Sequence, residues 1–161
     1  MDVRAACPED LDAVMKIYES ARRFMSRSGN PTQWGAAYPE RALLVDDIGK
    51  KQCYVCTDGK GIRAVFVMRI GEDPTYTVIE NGAWKNDAPY GTIHRLAGDG
   101  TTAGVTNLCI EFCRDKIRNL RADTHRDNLI MQHLLEKNGF ERCGTIYVED
   151  GSPRIAYQSA G

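Results

Sequence analysis

Residues 101–140 read TTAGVTNLCIEFCRDKIRNLRADTHRDNLIMQHLLEKNGF, and the order of elements in this stretch decides the fold. Val105, Leu108, Cys109, Phe112, Ile117 and Leu120 recur at helical spacing, which predicts a first helix with one apolar face. Leu120–Thr124 is a short strand ending in polar residues. Asp127 or Asn128 caps a second helix, whose core face is Ile130, Met131, Leu134 and Leu135. Gly139 stands where a helix ends in a positive-φ residue. Loop, helix, strand, helix in this order predict a crossover unit, with an anion site at the N-terminus of the first helix.

Before this stretch, residues 2–6 read as an edge-forming strand stopped by Cys7-Pro8. Leu11, Val14, Met15, Ile17, Tyr18 and Ala21 mark a helix running to about Met25. A loop carrying Gln33, Trp34 and Tyr38 precedes a second helix through Leu43, Leu44, Val45 and Ile48. Residues 52–57 and 62–70 flank Asp58-Gly59-Lys60-Gly61, a hairpin signal. Residues 75–80 are strand-like, and 90–97 (YGTIHRLA) form a strand that leads into the organising stretch. After it, 140–148 and 154–158 make a closing pair whose last strand offers an edge for homodimer formation. Without repeats or linkers, 1–161 reads as one domain of α/β class, a mixed sheet flanked by helices.

The chain has 161 residues, 21 Lys plus Arg, 22 Asp plus Glu and a net charge of −1. That balance gives no electrostatic case for nucleic acid or a membrane as partner. Asp2, Arg4, Glu9 and Asp10 exclude a secretory signal, and no apolar run is long enough to span a bilayer. The expected location is the cytoplasm, where the six cysteines stay as thiols. Cys53 and Cys56 lack a second pair at metal-ligand spacing, so no metal is expected.

Asn128 and the run Leu134-Leu135-Glu136-Lys137-Asn138-Gly139-Phe140 (N-x5-LLEKNGF) resemble the C-terminal motif of the GNAT superfamily of N-acetyltransferases, and the order of elements is similar along nearly the whole chain. The resemblance implies a splayed central sheet that admits acetyl-CoA as co-substrate. It places the pantetheine arm against the backbone of Leu96 and Ala97 and beside Asn128. It places the pyrophosphate on Thr101, Thr102, Ala103, Gly104, Val105 and Thr106. The family's loop pattern, Arg/Gln-x-x-Gly-x-Gly/Ala, falls on Thr101, Gly104 and Thr106, so only the middle position matches. The family's proton-donating tyrosine falls on Leu135; Tyr90 and Tyr147 are the other candidates, neither placed by a motif and each read first as a packing residue.

Aminolysis of a thioester needs a neutral amine, a polarised carbonyl and a base. His94, on the strand leading to the loop, is the first choice of base, with Glu80 acting directly or through water as the second. Each reads alternatively as a structural residue: a hydrogen-bonded sheet histidine and a solvated strand-end carboxylate. Gln33, Trp34, Tyr38, Tyr76, Trp84 and Arg95 either wall an acceptor pocket or plug the open side of the sheet. The implied reaction is direct acetyl transfer to a primary amine of a small molecule or peptide. A non-catalytic module binding a CoA ester as a sensor is the alternative.

Overall fold

The computed structural model describes residues 1–35 and 37–161. Seven strands form one mixed sheet in the order β1-β2-β3-β4-β5-β7-β6. They are β1 (Asp2–Ala5), β2 (Cys53–Thr57), β3 (Ile62–Ile70), β4 (Gly91–Gly98), β5 (Leu120–Thr124), β6 (Glu141–Tyr147) and β7 (Pro153–Ser159). The α-helices are α1 (Leu11–Arg27), α2 (Arg41–Gly49), α3 (Val105–Lys116) and α4 (Leu129–Lys137). The chain divides into two compact units, one of Met1–Met68 with His94–Phe112, the other of Arg69–Ile93 with Cys113–Gly161.

In the first unit, the apolar stripe of α1 (Leu11, Val14, Ile17, Tyr18) packs with Leu44 and Ile48 of α2, Cys53 and Val55 of β2, Val65 of β3 and Ala97 of β4. Spacing of three and four residues puts that stripe on one side of α1. Its start is fastened by Asp10, whose carboxylate accepts the Cys7 amide at 2.8 Å and pairs with Arg4 at 2.7 Å. The β2–β3 hairpin forms around Asp58, which accepts the Lys60 and Gly61 amides. Burial pushes the Cys53 thiol up to about 12, as it does that of Cys113 in the second unit, so both stay protonated.

In the second unit β4 pairs with β5 in parallel at Gly91–Leu120 and Thr92–Arg121, while β5 and β6 flank β7 in antiparallel register. The last strand is therefore interior, not the edge expected from sequence; β1 and β6 are the edges. Residues 75–80 differ as well. Asp73 caps a 3-10 turn, Pro74–Tyr76, by accepting the Thr75 amide at 3.0 Å, and only Glu80 joins the sheet, through an isolated bridge to Thr145. A capping Asp followed by Pro overrides the β propensity of the threonines. The core face of α4 is rotated from expectation: Gln132 and Leu135 are buried, whereas Ile130 is 56% exposed. Leu129 and Ile130, the first two residues of the helix, are both exposed.

Gly82 and Gly144 let two backbones approach at the Glu80 bridge. A β-carbon on Gly82 would stand 1.9 Å from the Cys143 carbonyl oxygen, and one on Gly144 would stand 2.6 Å from that of Glu80. Gly151 has positive φ but open space around it. We expect Gly82→Ala to destabilise by at least about 2 kcal/mol and Gly151→Ala by only about 1 kcal/mol. Chemical denaturation of the two variants checks this ranking, and equal losses would refute the close-approach account.

Candidate functional site

In the first unit the site is built on the second half of β4. Arg95 has φ 50°, the left-handed region, inside a strand. Side-chain alternation fails there: His94 and Arg95 are both half-buried, and the next two residues, Leu96 and Ala97, are both buried. Such a reversal interrupts a ladder and re-aims backbone amides and carbonyls, as a bulge does.

A left-handed non-glycine residue costs on the order of 1–3 kcal/mol and persists only when its surroundings hold it. Here they do so at both ends. The hydroxyl of Tyr18, wholly buried in α1, donates to the Arg95 carbonyl at 2.8 Å. The guanidinium donates to the carboxylate of buried Asp47 on α2 and to the Tyr38 hydroxyl at 3.0 Å. Burial alone would lower the pKa of Arg95, but Tyr38 and Asp47 carry it upward. Burial also raises the Tyr18 phenol well above its ordinary value, so it remains a donor.

This arrangement gives the loop aromatics a definite place. Trp34 meets Tyr18 edge-on at 5.6 Å and packs against the core of its unit. Gln33 accepts a hydrogen bond from Asn30 at 2.9 Å. Tyr38 keeps 39% exposure while its ring lies under the Arg95 guanidinium. Of the candidate acceptor residues in this unit, Tyr38 is the exposed one.

The loop between β4 and α3 carries an unforeseen internal anion. The Asp99 carboxylate accepts the amides of Thr101 at 3.0 Å and Thr102 at 2.9 Å, plus the Thr102 hydroxyl at 2.8 Å. Arg63 of β3 approaches the same carboxylate at 3.7 Å and accepts the Asp99 amide on its carbonyl at 2.8 Å. Thr101 and Thr102 thus spend their amides within the loop. Gly104, at φ 73° with nothing within 4 Å of a β-carbon, leaves the backbone open at the helix start. Gly98 is different, since a β-carbon there would press on the Val105 side chain at 3.4 Å.

In the second unit Glu80 is exposed, its backbone exchanging hydrogen bonds with Thr145 at 2.9 and 2.8 Å. Tyr76 is 1% exposed, donates its hydroxyl to Asp123 at 2.7 Å, and accepts the Trp84 indole on its carbonyl at 2.9 Å. Its ring belongs to the core of this unit with Tyr90, Ile146 and Ala156. Tyr90, a candidate proton donor, is buried and its hydroxyl accepts the Asp73 amide at 2.8 Å; Tyr147 is exposed. Leu135 is buried. Asn128 caps α4 by accepting the Met131 amide at 3.0 Å. Burial and then the Arg154 charge lower the His125 pKa, so it stays neutral near pH 7.

Sequence reasoning missed Tyr18, Asp47, Asp99 and Asp123. Asp47 left a signal, being a carboxylate between Leu44 and Ile48 on the buried face of a short helix. Asp99 left another, since Asp-Gly-Thr-Thr is the composition of a side-chain-capped turn. Tyr18 looked like any other core position.

No family model and no curated protein matches the sequence. Solved structures do. A GNAT-family acetyltransferase from Streptococcus agalactiae is 28% identical, with a TM-score of 0.90 over 99% of this chain and 95% of that one. A GNAT-family acetyltransferase from Listeria monocytogenes is 18% identical, with a TM-score of 0.72 over 99% and 94%. The ribosomal-protein-alanine N-acetyltransferase from Brucella melitensis, at 14% identity and a TM-score of 0.64, shares the fold over the full length of both chains. The chain has the GNAT acetyltransferase fold from end to end, and these likenesses support an acyltransferase. They lend no support to a non-catalytic module. Among the described residues no helix is long and apolar enough to cross a membrane.

Asp99 supplies a test of the loop geometry. Burial alone would raise its pKa, but the Thr101 and Thr102 donors hold it below its ordinary value of 3.8. A depressed carboxylate contributes stability above its unfolded pKa and loses it as pH falls through the folded one. The melting-temperature gap between wild type and Asp99→Asn is expected to be largest near pH 6 and to shrink towards pH 3. A gap independent of pH would contradict the hydrogen-bonded carboxylate.

Proposed function

We propose that this chain moves acetyl from acetyl-CoA directly to a primary amine of a small molecule or peptide, with residues 1–161 acting as one catalytic domain. The observation that carries the reading is the left-handed Arg95 in β4, tied down by Tyr18, Asp47 and Tyr38. Side-chain alternation is lost at the two buried residues that follow, Leu96 and Ala97, the backbone this reading assigns to the acyl group. An acyl carbonyl gains most from fixed dipoles that need no rearrangement when charge develops on its oxygen.

The residues present fit a CoA ester. Leu96 and Ala97 offer backbone to the pantetheine arm, and Asn128 adds a side-chain amide to the same arm. The amides of Ala103, Gly104, Val105 and Thr106 open α3, where a diphosphate is favoured by the helix dipole and by the close approach Gly104 permits. Thr101 and Thr102 serve through their turn around Asp99. No Lys or Arg lies between Gly98 and Cys113, and Arg63, 3.7 Å from the Asp99 carboxylate, brings a positive charge to the loop. Acetyl-CoA supplies the activated acyl group.

The acceptor must reach the carbonyl as a neutral amine. His94, half-buried on β4 just before the reversal, takes the proton in this reading; Glu80 is the alternative carrier, directly or through water. Gln33, Trp34, Tyr38 and Arg95 form one side of the acceptor's surroundings, with Tyr38 as its exposed member. Tyr76 and Trp84 are the acceptor candidates of the second unit, where Tyr76 is buried in that unit's own core. The net charge of −1 leaves nucleic acid and membranes without electrostatic attraction, and the cytoplasm is the matching location.

Calorimetric titration with acetyl-CoA is expected to give micromolar binding. In a thiol-release assay over an amine panel, His94→Ala or Glu80→Gln is expected to lower kcat at least about tenfold and leave the acetyl-CoA Kd within about twofold. A folded sample that binds no acetyl-CoA would overturn the reading.

A further inference from the structure

Three sulfur atoms meet inside the first unit, apart from the residues described on β4. Side chains two apart on a strand share a face, so Tyr54 and Cys56 point to one side of β2 and Cys53 and Val55 to the other. Cys53 and Val55 pack with α1 and α2. The opposite face meets α3, whose Phe112 ring lies 5.1 Å from that of Tyr54 and 6.1 Å from that of Phe66. Cys109 stands one turn before Phe112 on the same side of α3, which brings it towards Cys56. The two thiols are hydrogen-bonded to each other. The third sulfur comes from the start of β1. Val3 is opposite Cys56 in the β1–β2 register, and Met1, two residues earlier, reaches the same face. The Cys56 thiol donates to the Met1 thioether at 3.7 Å.

Buried cysteines are ordinarily small core residues, and burial alone would account for Cys56 at 0% and Cys109 at 1% exposure. It does not account for a continuous line of sulfurs that opens to solvent at Met1, which is 56% exposed. Neither cysteine is in a disulfide. Among the described residues no three His, Cys, Asp or Glu side chains gather as a Zn(II) site would need. Two thiols and a thioether are instead the soft donors that select Cu(I). Burial raises the Cys56 thiol above its ordinary value, opposed by the Met1 ammonium and by the Cys109 hydrogen bond. A soft cation reverses that balance, because a metal-bound thiol is deprotonated.

We propose that Cys56, Cys109 and Met1 form a binding site for a single Cu(I) ion. Both thiols become thiolates on binding and release their protons to solvent; copper stays Cu(I), so no electron moves. Met1 is the point of entry, and the two buried sulfurs hold the ion. The bound ion ties β1, β2 and α3 together within the first unit. The site is independent of the acetyltransferase reading, and either can fail without the other.

The test is anaerobic competition for Cu(I) between the intact protein and the chromophoric chelator bicinchoninate, with ascorbate as reductant. The wild type is expected to withdraw copper from the chelator, and Zn(II) in excess is expected not to displace it. A Cys7→Ser/Cys143→Ser variant, which removes the two thiols that solvent reaches, is expected to keep one tight Cu(I) per chain. Adding Cys56→Ala or Cys109→Ala to that variant is expected to weaken binding at least about tenfold. Thermal melting checks that each variant is folded. X-ray absorption at the copper edge on the wild type needs no substitution and is expected to show sulfur as the only donor. No uptake from the chelator, affinity unchanged by both alanine variants, or nitrogen or oxygen donors on the copper would overturn the proposal.

Discussion

The arrangement depends on holding one residue, Arg95, in a backbone conformation that a side chain disfavours. Nothing local in β4 explains φ 50° at an arginine. The explanation is tertiary: a buried phenol from α1 takes the carbonyl, while a buried carboxylate from α2 and a loop tyrosine take the guanidinium. The strain, on the order of 1–3 kcal/mol, is comparable with what a few hydrogen bonds to buried or charged groups supply. The helices α1 and α2 thus do more than cover the sheet. They fix the strand whose interrupted alternation makes an acyl site conceivable, and their sequence encodes this through Tyr18 and Asp47.

The loop that follows obeys a different logic. Its shape is stabilised by an internal carboxylate rather than by a basic side chain. Asp99 gathers the Thr101 and Thr102 donors and in turn attracts Arg63. The loop that leads into α3 therefore already contains negative charge, and Thr101 and Thr102 have committed their amides within it. The loop thus holds its shape with no basic residue between Gly98 and Cys113.

Much of the fold was legible because it rests on periodicity and punctuation. The stripe of α1, the Asp58–Gly61 hairpin, the Asn128 cap and Gly139 at φ 86° are all local, and each appears where spacing placed it. What failed was local structure decided by a single side chain or by register. Asp73 turned 75–80 away from a strand, and the antiparallel return of β7 between β5 and β6 put the last strand inside the sheet. The site was less legible than the fold. Tyr18–Arg95 and Tyr76–Asp123 join residues 77 and 47 positions apart, and no pattern in the chain announces such pairs. Tyr76 shows the difference clearly: a candidate pocket wall by composition, it is a buried support by position.

Amide hydrogen exchange with and without acetyl-CoA tests the central claim most directly, because it reads the backbone groups the account relies on. The account predicts saturable protection in two segments, at Leu96 and Ala97 of β4 and from Ala103 to Thr106 at the start of α3, with little change in the β6–β7 hairpin. Exchange unaltered by acetyl-CoA in a folded sample, or protection confined to other segments, would contradict it.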